Sequence, residues 1–345
     1  MSIATATTIQ ASLKETLSFV GYHLRTGVDH MYLFFDDPQD EAFPRLQNHA
    51  RLTCVRCTED HWKDLGVEDP ASVQQRQKAN ATYAFRQAKE AGIDWVAHID
   101  SDELLRTSQP LPEYFAAMSP EVEVVLFPVL EAVPQQLEYQ NSFREISLFK
   151  YFPCIRGDNS ALTMTTLGRA WYWGHAHLWK RKKQIATVLG CEHSQIVGRY
   201  LLGHMVGKSA TRTTASVDAV ENHRPAPPSG EVLWASVATE AAVAHFDCRG
   251  FSQWRRKWAR RVEGVADFDT SRFAPHRRRQ LRQFRKAYSE RDDRALQRLY
   301  KRWYVMPNRE RDILTRLGLV RRDSLDVDDL NSTNREEFGQ VMTEK

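Results

Sequence analysis

Along residues 1–100 the apolar positions switch repeatedly between two periods. Residues 2–8, SIATATT, are β-branched or small and predict a strand. Leu13, Leu17, Val20 and Leu24 then recur at helical spacing, and Gly27 ends that helix. Residues 31–35 form an apolar run closed by Asp36-Asp37-Pro38, which predicts a second strand. A short helix fits 41–50, a third strand 52–57, and the charged stretch 59–70 reads as a loop. Ala81, Ala84, Phe85 and Ala88 give 73–91 the buried stripe of a long helix, and Gly92 stops it. Trp95-Val96-Ala97 and Ile99 follow as a fourth strand. The alternation of strand and helix predicts a parallel sheet with helices on both faces. Ligands in such sheets bind where the strands end at their carboxyl side.

Beyond the fourth strand the pattern is less regular. Residues 121–130 predict one more strand, and 131–200 give no clear period. Trp171, Tyr172, Trp173 and Trp179 cluster there, with Trp171 and Trp173 expected in the core. His175 and His177 alternate like one face of a strand but lack a third metal ligand. Residues 241–246, AAVAHF, predict an apolar strand carrying His245, and everything from Ser252 reads as helix, including 281–304. These shifts divide the chain into an α/β unit over 1–250, a basic helical extension over 251–325 and a polar tail over 326–345.

Composition adds little to this frame and removes some classes. A chain of 345 residues that is 42% hydrophobic is globular and can bury a sizeable core. No run is long and apolar enough to span a membrane, and the N-terminus lacks a basic-then-apolar leader. The protein is therefore expected in the cytosol, unless a partner carries it to a membrane. The net charge of +4 is mild, but basic residues bunch from Arg249 to Arg302, as in Arg255-Arg256-Lys257 and Arg277-Arg278-Arg279. Such a face is either solvated or turned toward nucleic acid, anionic lipid or a phosphorylated substrate. Cys54 and Cys57 fall within a predicted strand, and all five cysteines are expected as reduced thiols.

The chemistry concentrates in Asp100-Ser101-Asp102-Glu103, where a buried strand runs into carboxylates. Burying them unpaired is costly, so they need a cation, a hydrogen-bond net or solvent. A hard divalent cation with oxygen ligands meets that need. The competing reading makes Asp100 or Ser101 the cap of a following helix. Asp36 and Asp37 lie at a second strand end. No G-x-G-x-x-G follows the first strand, and 203–209 spaces its glycines by three residues where a phosphate loop needs four. Lys208 and Arg212 remain as phosphate contacts.

Four blocks in order carry a resemblance. LKETLSFVGYHLRTGVDHMYLFFDD, WVAHIDSDELL, GKSATRT with ENHRP, and AHFDCRGFSQWRRKW resemble glycosyltransferases of the family 2-like group with the GT-A fold and a D-x-D motif, over about residues 1–262. The resemblance implies an α/β Rossmann-like domain, its sheet mostly parallel with helices on both faces, plus a C-terminal helical extension. It implies that Asp100, Asp102 and His245 hold a divalent metal, Mn2+ or Mg2+, against the donor diphosphate. Asp36, Asp37 and Asp100 would face the donor, with Lys208 and Arg212 on its phosphates or on the acceptor. The Asn usual between Lys14 and Glu15 is missing, so no donor contact is carried over to Glu15. The implied activity is metal-dependent, inverting transfer from a nucleotide-diphosphate sugar to a glycan or lipid-linked acceptor in surface polysaccharide synthesis. Peripheral contact with an anionic membrane at its inner face fits that role, and nucleic acid is disfavoured as a partner. The base that deprotonates the acceptor should be a carboxylate, with Glu131, Asp158 and Glu192 as unranked candidates. The alternative is a non-catalytic module that binds nucleic acid or anionic membrane through the basic C-terminal face.

Overall fold

The computed structural model describes residues 1–67, 72–153, 161–263, 273–325 and 327. The first part of the chain folds as β1 (Ile3–Ile9), α1 (Leu13–Arg25), β2 (His30–Phe35), α2 (Phe43–Leu46), β3 (Leu52–Arg56), α3 (Glu59–Asp64), α4 (Val73–Glu90) and β4 (Trp95–His98). β1 pairs in parallel with β2 and β4, and β2 with β3. The predicted parallel α/β sheet is therefore present. The stretch expected as a loop at 59–70 holds α3, because the Thr58 side chain accepts the His61 N–H and caps a turn there.

The middle of the chain builds two sheets. β5 (Glu103–Thr107), α5 (Leu111–Ala116), β6 (Val124–Phe127), β7 (Val129–Ala132), α6 (Ser142–Glu145), β8 (Leu148–Phe152), β9 (Leu162–Thr163) and α7 (Thr166–Val188) lead to β10 (Lys208–Arg212). After the short ribbon β11 (Ala219–Val220) and β12 (Pro225–Ala226) come β13 (Leu233–Val237) and β14 (Ala241–His245). The large sheet runs β3-β2-β1-β4-β10-β6-β13-β9, and a five-stranded sheet runs β15-β8-β7-β14-β5, with β15 at Val320–Arg322. In the large sheet β10 is antiparallel to both neighbours, and the other pairings are parallel.

Two strand expectations change. The stretch at 121–130 is not one strand: Pro128 has no N–H to give a ladder, and the chain there passes from β6 in one sheet to β7 in the other. The stretch after Asp100 does not start a helix. It turns and becomes β5, so the acidic motif lies on the crossing between sheets. His175 and His177 lie on the helix α7, both exposed, so they share no strand face. Trp173 on the same helix is 58% exposed, against the expectation of a core residue.

The C-terminal helices are α8 (Phe251–Val262), α9 (Pro275–Ser289), α10 (Asp293–Tyr304) and α11 (Asn308–Arg316). The expected single helix over 281–304 is broken at Arg291, whose φ is 53°. Trp254 and Trp258 are fully buried and pack with Phe284, Tyr300 and Trp303. Each such side chain contributes about 2–3 kcal/mol by leaving water, which binds the three helices into one block. Among the described residues, no helix is long and apolar enough to cross a membrane.

Candidate functional site

The site forms where β4 and β14 end. β14 lies between β5 and β7, and its last residue, His245, is level with Glu103 on one side and Glu131 on the other. Glu131 is in turn level with Lys150 of β8. Side chains in one register row share a sheet face, so one buried row reads Glu103, His245, Glu131, Lys150.

Asp100 is held from two directions. The Gln77 amide donates to Oδ1 at 2.9 Å and the Lys208 ammonium to Oδ2 at 2.8 Å. Lys208 also donates to the Asn222 carbonyl at 2.9 Å and lies 3.4 Å from Glu103 Oε2. Burial alone would raise the Asp100 carboxyl, but Lys208 and His98 outweigh it and hold it well below the usual range. Burial likewise works against the Lys208 charge, and Asp100 and Glu103 restore it and raise the ammonium above its ordinary value. Glu103, without exposure, accepts the Asp100 N–H at 2.8 Å and pairs with His204 Nε2 at 2.7 Å.

Asp102 belongs to a second cluster. Its Oδ1 lies 3.9 Å from His245 Nε2, and Oδ2 lies 3.3 Å from the Lys257 ammonium. Lys257 also reaches Asp247 Oδ1 at 2.7 Å, and Arg277 donates to Asp247 Oδ2 at 2.7 Å. Burial pushes both carboxyls up. Lys257 and His245 overcome this at Asp102, and Arg277 and Lys257 at Asp247, which ends well below the carboxylate range. Burial, then His204, lowers His245, so its imidazole is neutral near pH 7. His245 Nδ1 is buried without a hydrogen-bond partner.

Ligand atoms of Asp102, His245 and Asp247 lie within 4.8 Å of one another, as do those of Glu103, His204 and His245. Two ionised carboxylates and a neutral imidazole make a mixed oxygen and nitrogen donor set, suited to a divalent transition ion more than to Mg2+, which takes oxygen ligands. Asp102 and His245, two of the three ligands that the resemblance implies, lie together, with Asp247 beside them. Asp100 stands in the neighbouring Lys208 cluster instead.

Asp36 meets Arg76 at 2.8 Å through Nε, and Nη2 donates to its other oxygen at 3.1 Å. Because Arg76 and Gln77 are consecutive on α4, one helix turn fixes both Asp36 and Asp100. Asp37 is exposed and caps the N–H of Gln39 at 2.9 Å.

Other expected residues lie elsewhere or are engaged. Lys208 is 1% exposed and serves as counter-ion to Asp100 and Glu103, so it is not an open phosphate contact. Arg212 is in register with Trp95, at the opposite end of β4 from Asp100, because β10 runs antiparallel to that strand. It stacks on the Trp95 ring at 4.4 Å and donates to the Val122 carbonyl at 3.0 Å. Glu131 accepts the backbone N–H groups of Leu202 at 3.0 Å and Gly203 at 2.5 Å, which occupies the carboxylate structurally. Glu192 is exposed and pairs with Arg302 at 3.5 Å, not with the acidic clusters. Asp158 lies outside the described residues.

The glycines that mimic a phosphate loop have steric roles. A Cβ at Gly203 would come within 2.6 Å of His245 Cε1, and one at Gly207 within 2.1 Å of the Phe127 carbonyl. Gly207 also has φ +76°, a conformation natural to glycine. Cys54 and Cys57 offer no redox pair: burial pushes both thiols up to about 12.

No family model matches the chain. It is similar to two glycosyltransferase-like proteins of Arabidopsis thaliana. One, At2g41451, is 24% identical over 279 residues, covering 72% of this chain and 54% of that protein. The other, At3g57200, is 26% identical over 169 residues, covering 43% and 33%. The chain thus spans about half or less of the relatives it matches. Among solved structures, residues 1–349 of S. aureus TarS in complex with UDP align over 85% of this chain and 73% of that one. The identity is 10% and the TM-score 0.35, a likeness that bears no weight on chemistry.

The sequence reading missed Asp247, Lys257 and Arg277 as members of the clusters, and it gave Glu103 only a supporting or helix-capping place in the acidic run. The only signal was local: Asp247 stands two residues after His245, a spacing that returns a strand residue to the same side. Lys257 and Arg277 read as parts of a solvated basic face, and only folding turns them inward.

Proposed function

We propose that the chain is a glycosyltransferase of the GT-A, D-x-D type. It moves a sugar from a nucleotide-diphosphate donor to a hydroxyl of a glycan or lipid-linked acceptor. The observation that carries this is the convergence of Asp102, His245 and Asp247 within 4.8 Å, at strand ends next to Asp100. The glycosyltransferase-like relatives support the same reading.

In this reading Asp102, His245 and Asp247 would hold a divalent ion, which would supply Lewis-acid stabilisation of the charge on the leaving diphosphate. Asp36, fixed by Arg76, and Asp100, fixed by Gln77 and Lys208, orient the donor from the other side. Lys208 keeps Asp100 ionised and pairs with Glu103 without exposing its own charge. The acceptor hydroxyl loses its proton to a carboxylate, and attack on the anomeric carbon inverts it. With Glu131 and Glu192 otherwise engaged, that base is not assigned. The extension over 251–325 belongs to the working site, since Lys257 and Arg277 both reach Asp247.

The test is a thermal-shift panel of nucleoside diphosphates with and without Mn2+. A ligand that binds only the folded state raises its melting temperature by mass action. UDP or GDP should stabilise the protein only with the metal, and Asp102→Ala should remove both that shift and donor turnover. A fully active Asp102→Ala protein would overturn the proposal.

A further inference from the structure

α7 stands out by what it leaves uncovered. Trp173 is 58% exposed, Leu178 52%, Ile185 49%, Val188 87% and Leu189 47%. Leu178 and Ile185 stand seven residues apart on one side of the helix, in line with the half-buried Trp171 seven residues before Leu178. The opposite face, with Ala176, Trp179 and Ala186, is buried in the core. α7 packs on β13, where Trp234 is also 47% exposed. Scattered apolar residues on a surface need no explanation, but a continuous stripe marks an interaction site.

The charges select the occupant. α7 carries Arg169 and the run Lys180-Arg181-Lys182-Lys183, and no acidic residue. Two copies of this helix face to face would set like charges against one another, which opposes self-association. An anionic surface meets the exposed Arg169, Lys180 and Arg181, while the apolar stripe and Trp173 enter the interface. Tryptophan favours that depth, because its ring is apolar and its N–H remains near polar groups. Helices with this combination lie flat on membranes.

We propose that the outer face of α7 docks the protein on an anionic lipid surface. This moves the membrane contact away from the C-terminal helices, whose tryptophans Trp254 and Trp258 are spent in the core. It does not depend on the transferase reading, since it concerns a different surface and a different ligand.

The experiment is flotation of the full chain with phosphatidylcholine vesicles, with and without phosphatidylglycerol. The protein should float with the anionic vesicles only, and less so in high salt. The double variant Leu178→Glu, Ile185→Glu should lower the bound fraction about tenfold, since it removes two inserting side chains and adds repulsive charge. Both positions are exposed, so melting should be unchanged; Leu178→Ser, Ile185→Ser serves as a milder second variant. Arg278→Glu, Arg279→Glu on the exposed side of α9 should bind as the parent does. No flotation with anionic vesicles overturns the proposal. Loss in the α9 variant with retention in the α7 variants also overturns it and assigns the contact to the extension. A dimer in sedimentation analysis that the α7 variants abolish, without vesicle binding, overturns it in favour of a second copy.

Discussion

The ammonium of Lys257 sits 3.3 Å from the carboxylate of Asp102, although 154 residues lie between them in the chain. The same ammonium is 2.7 Å from Asp247. It therefore balances the two carboxylates proposed to hold a divalent ion. Two like charges a few ångströms apart repel by about 4 kcal/mol at the effective dielectric of a protein surface. Lys257→Met should raise Mn2+ affinity about tenfold, which is 1.4 kcal/mol and a modest share of that repulsion. Electron paramagnetic resonance of free Mn2+ reads this directly. Without metal the variant should melt below the parent, because Asp102 loses its closest cation. Unchanged or weaker Mn2+ binding would show that Lys257 positions the ligands and does not compete.

Lys208 is the counter-ion of two carboxylates, at 2.8 Å from Asp100 and 3.4 Å from Glu103. Removing one partner of a buried ion pair leaves uncompensated charge, at a cost of about 3–5 kcal/mol. Lys208→Met should be destabilised by that amount in urea unfolding. Arg212→Met, at the other end of the same strand, should lose less and leave donor binding intact.

Gly207 has its backbone against Phe127, and a Cβ would come within 2.1 Å of the carbonyl oxygen. Gly207→Ala must shift the entry to β10 and displace Lys208 with it. A loss of at least about 2 kcal/mol is expected from the clash and the positive φ together. Gly66→Ala, where a Cβ meets nothing within 4 Å, isolates the cost of φ alone.

His23 sets a pH dependence. Its Nδ1–H donates to the Phe19 carbonyl at 2.8 Å, and Nε2 accepts the Leu105 N–H at 3.2 Å, so the neutral ring satisfies both contacts. Burial lowers its pKa from 6.5 to about 4, against a smaller upward pull from Phe19. The unfolded chain then binds more protons than the folded one between these values. Stability is complete above pH 6.5 and falls as pH drops toward 4. The loss from this residue is on the order of 3 kcal/mol. Denaturant titrations at pH 7 and pH 4 measure it, and His23→Gln should flatten that part of the profile.

The first half of the large sheet was readable because its signals are local. Apolar runs of strand length, a helical stripe such as Ala81–Ala84–Phe85–Ala88 and the stopping Gly92 each act within a few residues. Asp100 and Asp102 were readable for the same reason, since a buried strand running into carboxylates is an electrostatic problem visible in one dimension. The sequence by itself thus determined the strand-helix alternation and the place of the acidic motif.

Tertiary structure decided what answers those charges. Lys208 and Lys257 are 108 and 155 positions from the carboxylates they neutralise, so no spacing announces the pairs. The direction of β10 decided that Lys208 meets Asp100 while Arg212, four residues on, stacks on Trp95. Helix packing decided that Trp254 and Trp258 are core while Trp173 is open, although all three stand in similar aromatic and basic surroundings. A side chain's burial depends on what packs over it, and that is fixed only when distant elements meet.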